Sequence, residues 1–202
     1  MATMDRGKIV DALLAGTPHA DQTGAVSAFG LGLMELPAYL WTAFSEKLIR
    51  RVRAAHPESE EADSLLENSS ARFAYNAGRG IFASPEFRAA AGISANDGPE
   101  AFLNAAFCLA AAWGWADAEI VTLHAKESMV VRAKAYTEAA LADTMSMARP
   151  AASAFSGICR AFMDLAYGAQ FPDGFGTYAC RQTLALELGD AYGEFIVTRA
   201  EA

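Results

Sequence analysis

Residues 118–135 read AEIVTLHAKESMVVRAKA, and this stretch decides the fold. Apolar and polar side chains alternate on both sides of Lys126-Glu127. Period-two alternation marks strands with one covered face. Over 118–125 it places Val121, Leu123 and Ala125 on one face, and Ile120, Thr122 and His124 on the other. Over 128–135 it turns Met129, Val131 and Ala133 inward, with Val130, Arg132 and Lys134 outward. Lys126-Glu127 joins the two as a tight hairpin, although neither residue suits a type I′ turn. Two strands sharing one apolar face need a cover, and residues 151–169 supply it. There Phe155, Ile158, Phe162, Leu165 and Ala169 recur as one helical stripe.

Working outward, the aromatic, glycine-rich segment Phe171–Tyr178 leads into Arg181–Leu188, where Leu184, Leu186 and Leu188 alternate. Gly189-Asp190 and a last strand at Glu194–Arg199 follow. Before the hairpin, Ala101–Ala116 (AFLNAAFCLAAAWGWA) is the longest apolar run, and Asp97 can cap it. Sixteen residues rising about 1.5 Å each fall short of a bilayer core of about 30 Å. The run therefore reads as a buried helix. From residue 98 the order is helix, strand, strand, helix, strand, strand, which predicts an α+β fold with one antiparallel sheet covered by helices.

The first half reads as helical. A helix over 4–15 ends at Gly16, and residues 16–33, with four glycines and a proline, read as an ordered loop. Pro37 opens a helix to about Ala55 whose last turns carry Lys47, Arg50, Arg51 and Arg53. A third helix starts after Pro57 with Glu58, Glu60, Glu61 and Asp63 and runs towards Gly78. Ser84-Pro85-Glu86 caps a short helix closed by Gly92. The expected division is 1–71 as a helical extension packed on the core and 72–202 as the αββ–αββ domain, forming a single compact unit.

The chain has 202 residues, 53% of them hydrophobic, with a net charge of −8. That charge argues against partners bound by neutralising phosphates, so no nucleic acid is expected. Cys108, Cys159 and Cys180 are widely spaced and form no CxxC pair, the pattern of a reduced, cytoplasmic protein. The N-terminus carries charge too early for a signal peptide, and no membrane insertion is expected.

Few residues carry a chemical signature. The cysteines and His19, His56 and His124 lack the i, i+3 or i+4 spacing of helical metal ligands, so no metal or cofactor is expected. Cys108 sits among Phe102, Phe107, Leu109 and Trp113, where a thiol is inert packing or faces a ligand. Cys159, beside Gly157, has the same two readings. His124 reads as a surface histidine near Arg132 and Lys134, or as a proton donor in a pocket. Asp117 and Glu119 share a strand face and are solvated, or do acid–base work. Gly30-Leu-Gly32 lacks the third glycine of a phosphate loop. Gly78-Arg79-Gly80 is a helix terminus, or places Arg79 to clamp a carboxylate. Phe171, Phe175 and Tyr178 make a lid or a plain turn with core anchors. No catalytic residue is assigned.

The helix segment Ser156-Gly157-Ile158-Cys159, the ending Leu184–Val197 (LALELGDAYGEFIV) and Trp113-Gly114-Trp115 resemble the vinyl-4-reductase-type hydrocarbon-binding domains. The resemblance covers roughly residues 72–199. Relatives in that superfamily include haem-based nitric-oxide sensors, Golgi vesicle-tethering subunits and aromatic-sensing domains of transcription activators. It implies a pocket between sheet and helices for a small hydrophobic or tetrapyrrole-like ligand. Phe102, Phe107, Trp113, Phe155 and Phe162 would form its wall, with Phe175 and Tyr178 at the mouth. Members with a metal site carry cysteines where this chain has Ala185 and Gly193, and the tyrosine-serine-arginine signature of the haem sensors is absent. Trp113-Gly114 and Gly174–Tyr178 also resemble the small D-type accessory component of cellulose synthase, which implies a homo-oligomeric assembly protein. An enzyme acting on a tetrapyrrole vinyl group or a small heterocycle is the third reading.

Overall fold

The computed structural model describes residues 5–16, 22, 26–29, 31–33, 37–56, 59–94 and 96–201. Expectations placed on Pro57, Glu58, His19 and Gly30 lie outside these residues. Asp5 caps α1 (Arg6–Ala15) by accepting from the Lys8 N–H. Within the expected loop, β1 (Val26–Ala28) and β2 (Leu31–Leu33) pair as a small antiparallel hairpin. Helix α2 (Ala38–Ala55) follows, then α3 (Glu61–Ala83), with Glu61 and Asp63 in its first turn. Ser84 caps α4 (Pro85–Ala91) and Gly92 closes it. Gly98, not Asp97, occupies the cap position of α5 (Pro99–Ala112); the Asp97 carboxylate instead accepts from the Ser94 N–H.

The second half has the expected order. Strands β3 (Ala116–His124) and β4 (Ser128–Tyr136) precede α6 (Ser153–Tyr167), and β5 (Tyr178–Leu184) and β6 (Gly193–Arg199) follow it. They form one antiparallel sheet in the order β3-β4-β6-β5, so the fold is α+β with helices over the sheet. Met129, Val131 and Ala133 are buried as expected. The inner face of β3 differs. Ile120 pairs with Val131 and Thr122 with Val130, leaving Val121 as an extra residue that bulges the strand. Ala116 and Ala118 therefore face the core, while Val121 is 40% exposed and Ala125 is also exposed. The bulge is invisible to a strict two-residue alternation. His124 pairs with Ser128 at the turn, away from Arg132, which pairs with Glu119. Leu186–Leu188, read as strand, is a short 3-10 turn.

Helix α6 is more than a cover. Every residue from Ala154 to Asp164 is buried, because α3 lies against the side facing away from the sheet. Gly157 makes this possible. A Cβ there would stand 2.2 Å from the Glu67 carbonyl oxygen and 2.9 Å from the Ala71 nitrogen. A Cβ on Gly78 would stand 2.6 Å from Leu165 Cδ1. Gly78 therefore serves the helix contact, and α3 continues past it to Ala83. The charged side chains of α6 have partners inside. Arg160 pairs with Glu67 at 2.9 Å and donates to Asn68 Oδ1 at 2.6 Å.

Three buried carboxylates tie α6 to its surroundings. Glu138, 1% exposed, accepts from the Phe155 N–H at 3.1 Å, satisfying a donor of the first helical turn. Glu187 accepts from the Ala151 N–H at 2.7 Å and from the Tyr136 hydroxyl. Asp164 accepts from the Gly176 and Tyr178 N–H groups, both at 2.9 Å. Burial outweighs these hydrogen bonds and raises the carboxyls of Glu138 and Asp164 above their ordinary values.

Two outcomes follow from this packing. Gly157→Ala should cost stability, about 1–3 kcal/mol or more in urea unfolding, because backbone rather than a mobile side chain fills the space. Gly7→Ala, whose Cβ would meet nothing closer than 3.5 Å, should be neutral or stabilising by up to about 1 kcal/mol. The second outcome concerns pH. Glu138 is raised from 4.5, so the native state holds a proton that the unfolded chain releases, and the group's contribution falls as pH rises through that interval. The Tm of Glu138→Gln relative to wild type should therefore climb as pH rises from about 5 to about 8. A flat difference would show that the carboxyl titrates normally.

Candidate functional site

The cleft that stands out is built by small side chains on three helices. Ala74, Ala77 and Gly78 of α3 face Ala106 and Ala110 of α5, and Ile158 and Phe162 of α6 form the floor. Short side chains at crossing helices leave space that backbone cannot close. Phe73, Phe82, Trp113 and Trp115 wall that space, which opens to solvent at its mouth and is apolar throughout. Gly114, at φ +73°, takes a backbone turn that most side chains resist. It carries the chain from α5 into β3 so that the indoles on both sides of it line one cleft.

The rings lining the cleft are braced from behind. Trp113 stacks on Phe29 at 6.1 Å, and Trp115 meets Phe73 at 6.2 Å and Trp41 at 6.0 Å. Phe82 touches Phe87, Phe102 and Phe162. Such contacts hold aromatic walls in place rather than letting them collapse inward.

A second, small cleft lies between α1, α5 and β3, lined by Arg6, Asn104, Phe107, Cys108 and Glu119 among others. Arg6 is engaged there, donating to Asp117 and to the Ala118 carbonyl, both at 2.9 Å. Burial pushes the Cys108 thiol up, which lowers its reactivity.

The residues singled out in the sequence separate into several places. Trp113 and Phe162 line the first cleft, while Phe107 and Cys108 line the second. Phe102 stands behind Phe82 with the Arg88 guanidinium 5.2 Å over its ring. Phe155 packs in the sheet-side core between Tyr136 and Phe195. Tyr178 is buried, and its hydroxyl donates to the Lys126 carbonyl at 2.9 Å. Phe175 lies against Tyr75 of α3, and exposed Arg79 stacks at 4.2 Å over Phe171. Residues 171–178 thus lie on the Tyr75 side of α3, not among the cleft residues. Cys159 is wholly buried and sits beside Cys180.

Sequence reasoning missed the α3 wall. The spacing of Phe73, Ala74, Ala77, Gly78, Ile81 and Phe82 at three and four residues was the available signal. Among the described residues no group of three or more His, Cys, Asp or Glu side chains could hold a metal ion. Among them too, no helix is long and apolar enough to cross a membrane.

No family model and no curated protein matches the chain. Solved structures do, and 17 chains match. One is the phenol-responsive sensory domain of the transcription activator PoxR, solved with phenol. It is 12% identical, with a TM-score of 0.73 over 98% of this chain and 91% of that one. Another is a trafficking protein particle complex subunit 3 from Naegleria fowleri, covalently bound to palmitic acid. It is 14% identical, with a TM-score of 0.52 over 81% of this chain and 95% of that one. These are two of the kinds of relative that the resemblance of Trp113-Gly114-Trp115 and Leu184–Val197 implied, and the chain shares their fold.

Proposed function

We propose that this chain is a binding domain for a small hydrophobic molecule, acting as a sensor or carrier, and that the α3–α5–α6 cleft is its site. The observation that carries the reading is an open cleft with wholly apolar walls and braced aromatic rings, concave and apolar as small-molecule sites are. The ligands in the two solved neighbours, phenol and palmitic acid, support the same class of guest. The cleft offers only about 50 Å³ clear of its walls, which favours a small ring or a stretch of alkyl chain entering from the open mouth over a tetrapyrrole.

The driving force would be burial alone. A single ring removes roughly 150–250 Å² from water, about 4–6 kcal/mol before the costs of association. A one-ring guest should therefore bind no tighter than about the high micromolar range, and alkyl chains should gain about 0.8 kcal/mol for each buried methylene.

Trp113 and Trp115 line the cleft, so intrinsic fluorescence reports its occupancy directly. Titration with phenol, toluene and a series of fatty alcohols should quench or shift the emission saturably. Ala77→Phe, which fills the cleft from a half-buried position, should abolish the response while leaving the circular dichroism intact. If no compound perturbs emission, and native mass spectrometry of fresh protein gives only the bare chain, the reading is wrong.

One observation favours a second reading, a homo-oligomeric assembly protein. Tyr39, Leu40 and Phe44 of α2 are 79%, 50% and 55% exposed, and Phe44 packs on Trp41 of the same helix. A second copy would cover this apolar face. Light scattering at micromolar concentration should then give a dimer or larger species, and Tyr39→Ser with Phe44→Ser should return it to a monomer. A wild-type monomer would remove this reading.

A further inference from the structure

Helix α6 and edge strand β5 are fastened side by side at two points. The Gln182 side-chain oxygen accepts from the Ala152 N–H at 3.0 Å, just before α6 begins. The Asp164 carboxylate accepts from the Tyr178 N–H at 2.9 Å near its other end. Between these fasteners, with Ala152 opposite Gln182 and Asp164 opposite Tyr178, Cys159 of α6 comes opposite Cys180 of β5, and both pack in the same hydrophobic cluster. Tyr178, Cys180 and Gln182 alternate onto the same inner face of β5. Cys159 is wholly buried, whereas Cys180 is only partly buried and lies on the outermost strand. The third cysteine, Cys108, belongs to a different core cluster.

We infer that Cys159 and Cys180 form a redox pair, which a hydroperoxide converts into a reversible disulfide joining α6 to β5. Cys180 is the thiol that the oxidant can reach. Its thiolate takes the terminal oxygen of the hydroperoxide, releasing an alcohol or water and leaving a sulfenic acid. The Cys159 sulfur then attacks the Cys180 sulfur. The hydroxyl leaves with the Cys159 proton as water, and the S–S bond forms. The two thiols give up two electrons and two protons, and the hydroperoxide accepts both. Burial raises the Cys159 thiol, so it serves as the resolving partner rather than as the first to react. An external thiol reverses the bond by exchange at the more accessible sulfur, that of Cys180. Ile158 lies next to Cys159 in α6 and lines the cleft floor, so the bond also restrains that helix.

Trypsin makes the test simple, because it cuts after Arg160, between the two cysteines. The folded full-length protein is treated with hydrogen peroxide, free thiols are alkylated in denaturant, and the digest is mapped without reductant. The Cys159 and Cys180 peptides should appear linked, lighter by two hydrogen atoms than the sum of the free peptides, and should separate with dithiothreitol. Oxidation should raise Tm by roughly 5–10 °C. Cys159→Ala and Cys180→Ser should each lose the linked species and the Tm gain, while Cys108→Ala should keep both. The inference is overturned if Cys180 runs on to sulfinic acid while Cys159 remains alkylatable. It is equally overturned if Cys108 enters the bond, or if both thiols survive oxidant unchanged.

Discussion

The backbone contact of α6 with α3 at Gly157 is the constraint on which the rest of the structure depends. With a Cβ site only 2.2 Å from a carbonyl of α3, the two helices meet at a distance that no other residue type permits. That contact turns α6 from a helix lying on a sheet into one buried on both faces. A helix so placed cannot leave its polar groups to water. Arg160 and Asp164 are accordingly paired inside, Glu138 accepts from the Phe155 N–H of its first turn, and Glu187 from the Ala151 N–H just before it.

The same closeness produces the cleft. Where α3 carries Ala74, Ala77 and Gly78 opposite Ala106 and Ala110 of α5, backbone holds the helices apart and small side chains leave the gap open. Aromatic rings braced against a second layer form the walls, so the cleft is a consequence of helix packing rather than of a loop closing over a site. The thiol pair has a different origin. Its two members lie opposite each other where hydrogen bonds fasten α6 to β5 on either side of them.

Much of the fold was legible in the sequence. Period-two alternation over 128–135, the helical stripe from Phe155 to Leu165 and the order of elements after residue 98 all reappear in space. Less of the site was legible. The aromatic residues of α5 and α6 face different neighbours: Phe162 faces the cleft, Phe155 the sheet, and Phe107 both Phe162 and the second cleft. A list of buried rings says nothing about which of them share a cavity. Val121 shows the same limit on a strand, since one bulge moves it out of the core.

Local chemistry by itself determined the helices, the paired strands and the α+β class, because hydrophobic period and capping act over a few residues and need no distant partner. The tertiary structure alone decided that Gly78 and Gly157 are contact points, that the α3 alanines line a cleft, and that Cys159 meets Cys180. Each of these depends on where two remote segments cross, a distance set by the packing of whole elements and unrecorded in any short window of sequence.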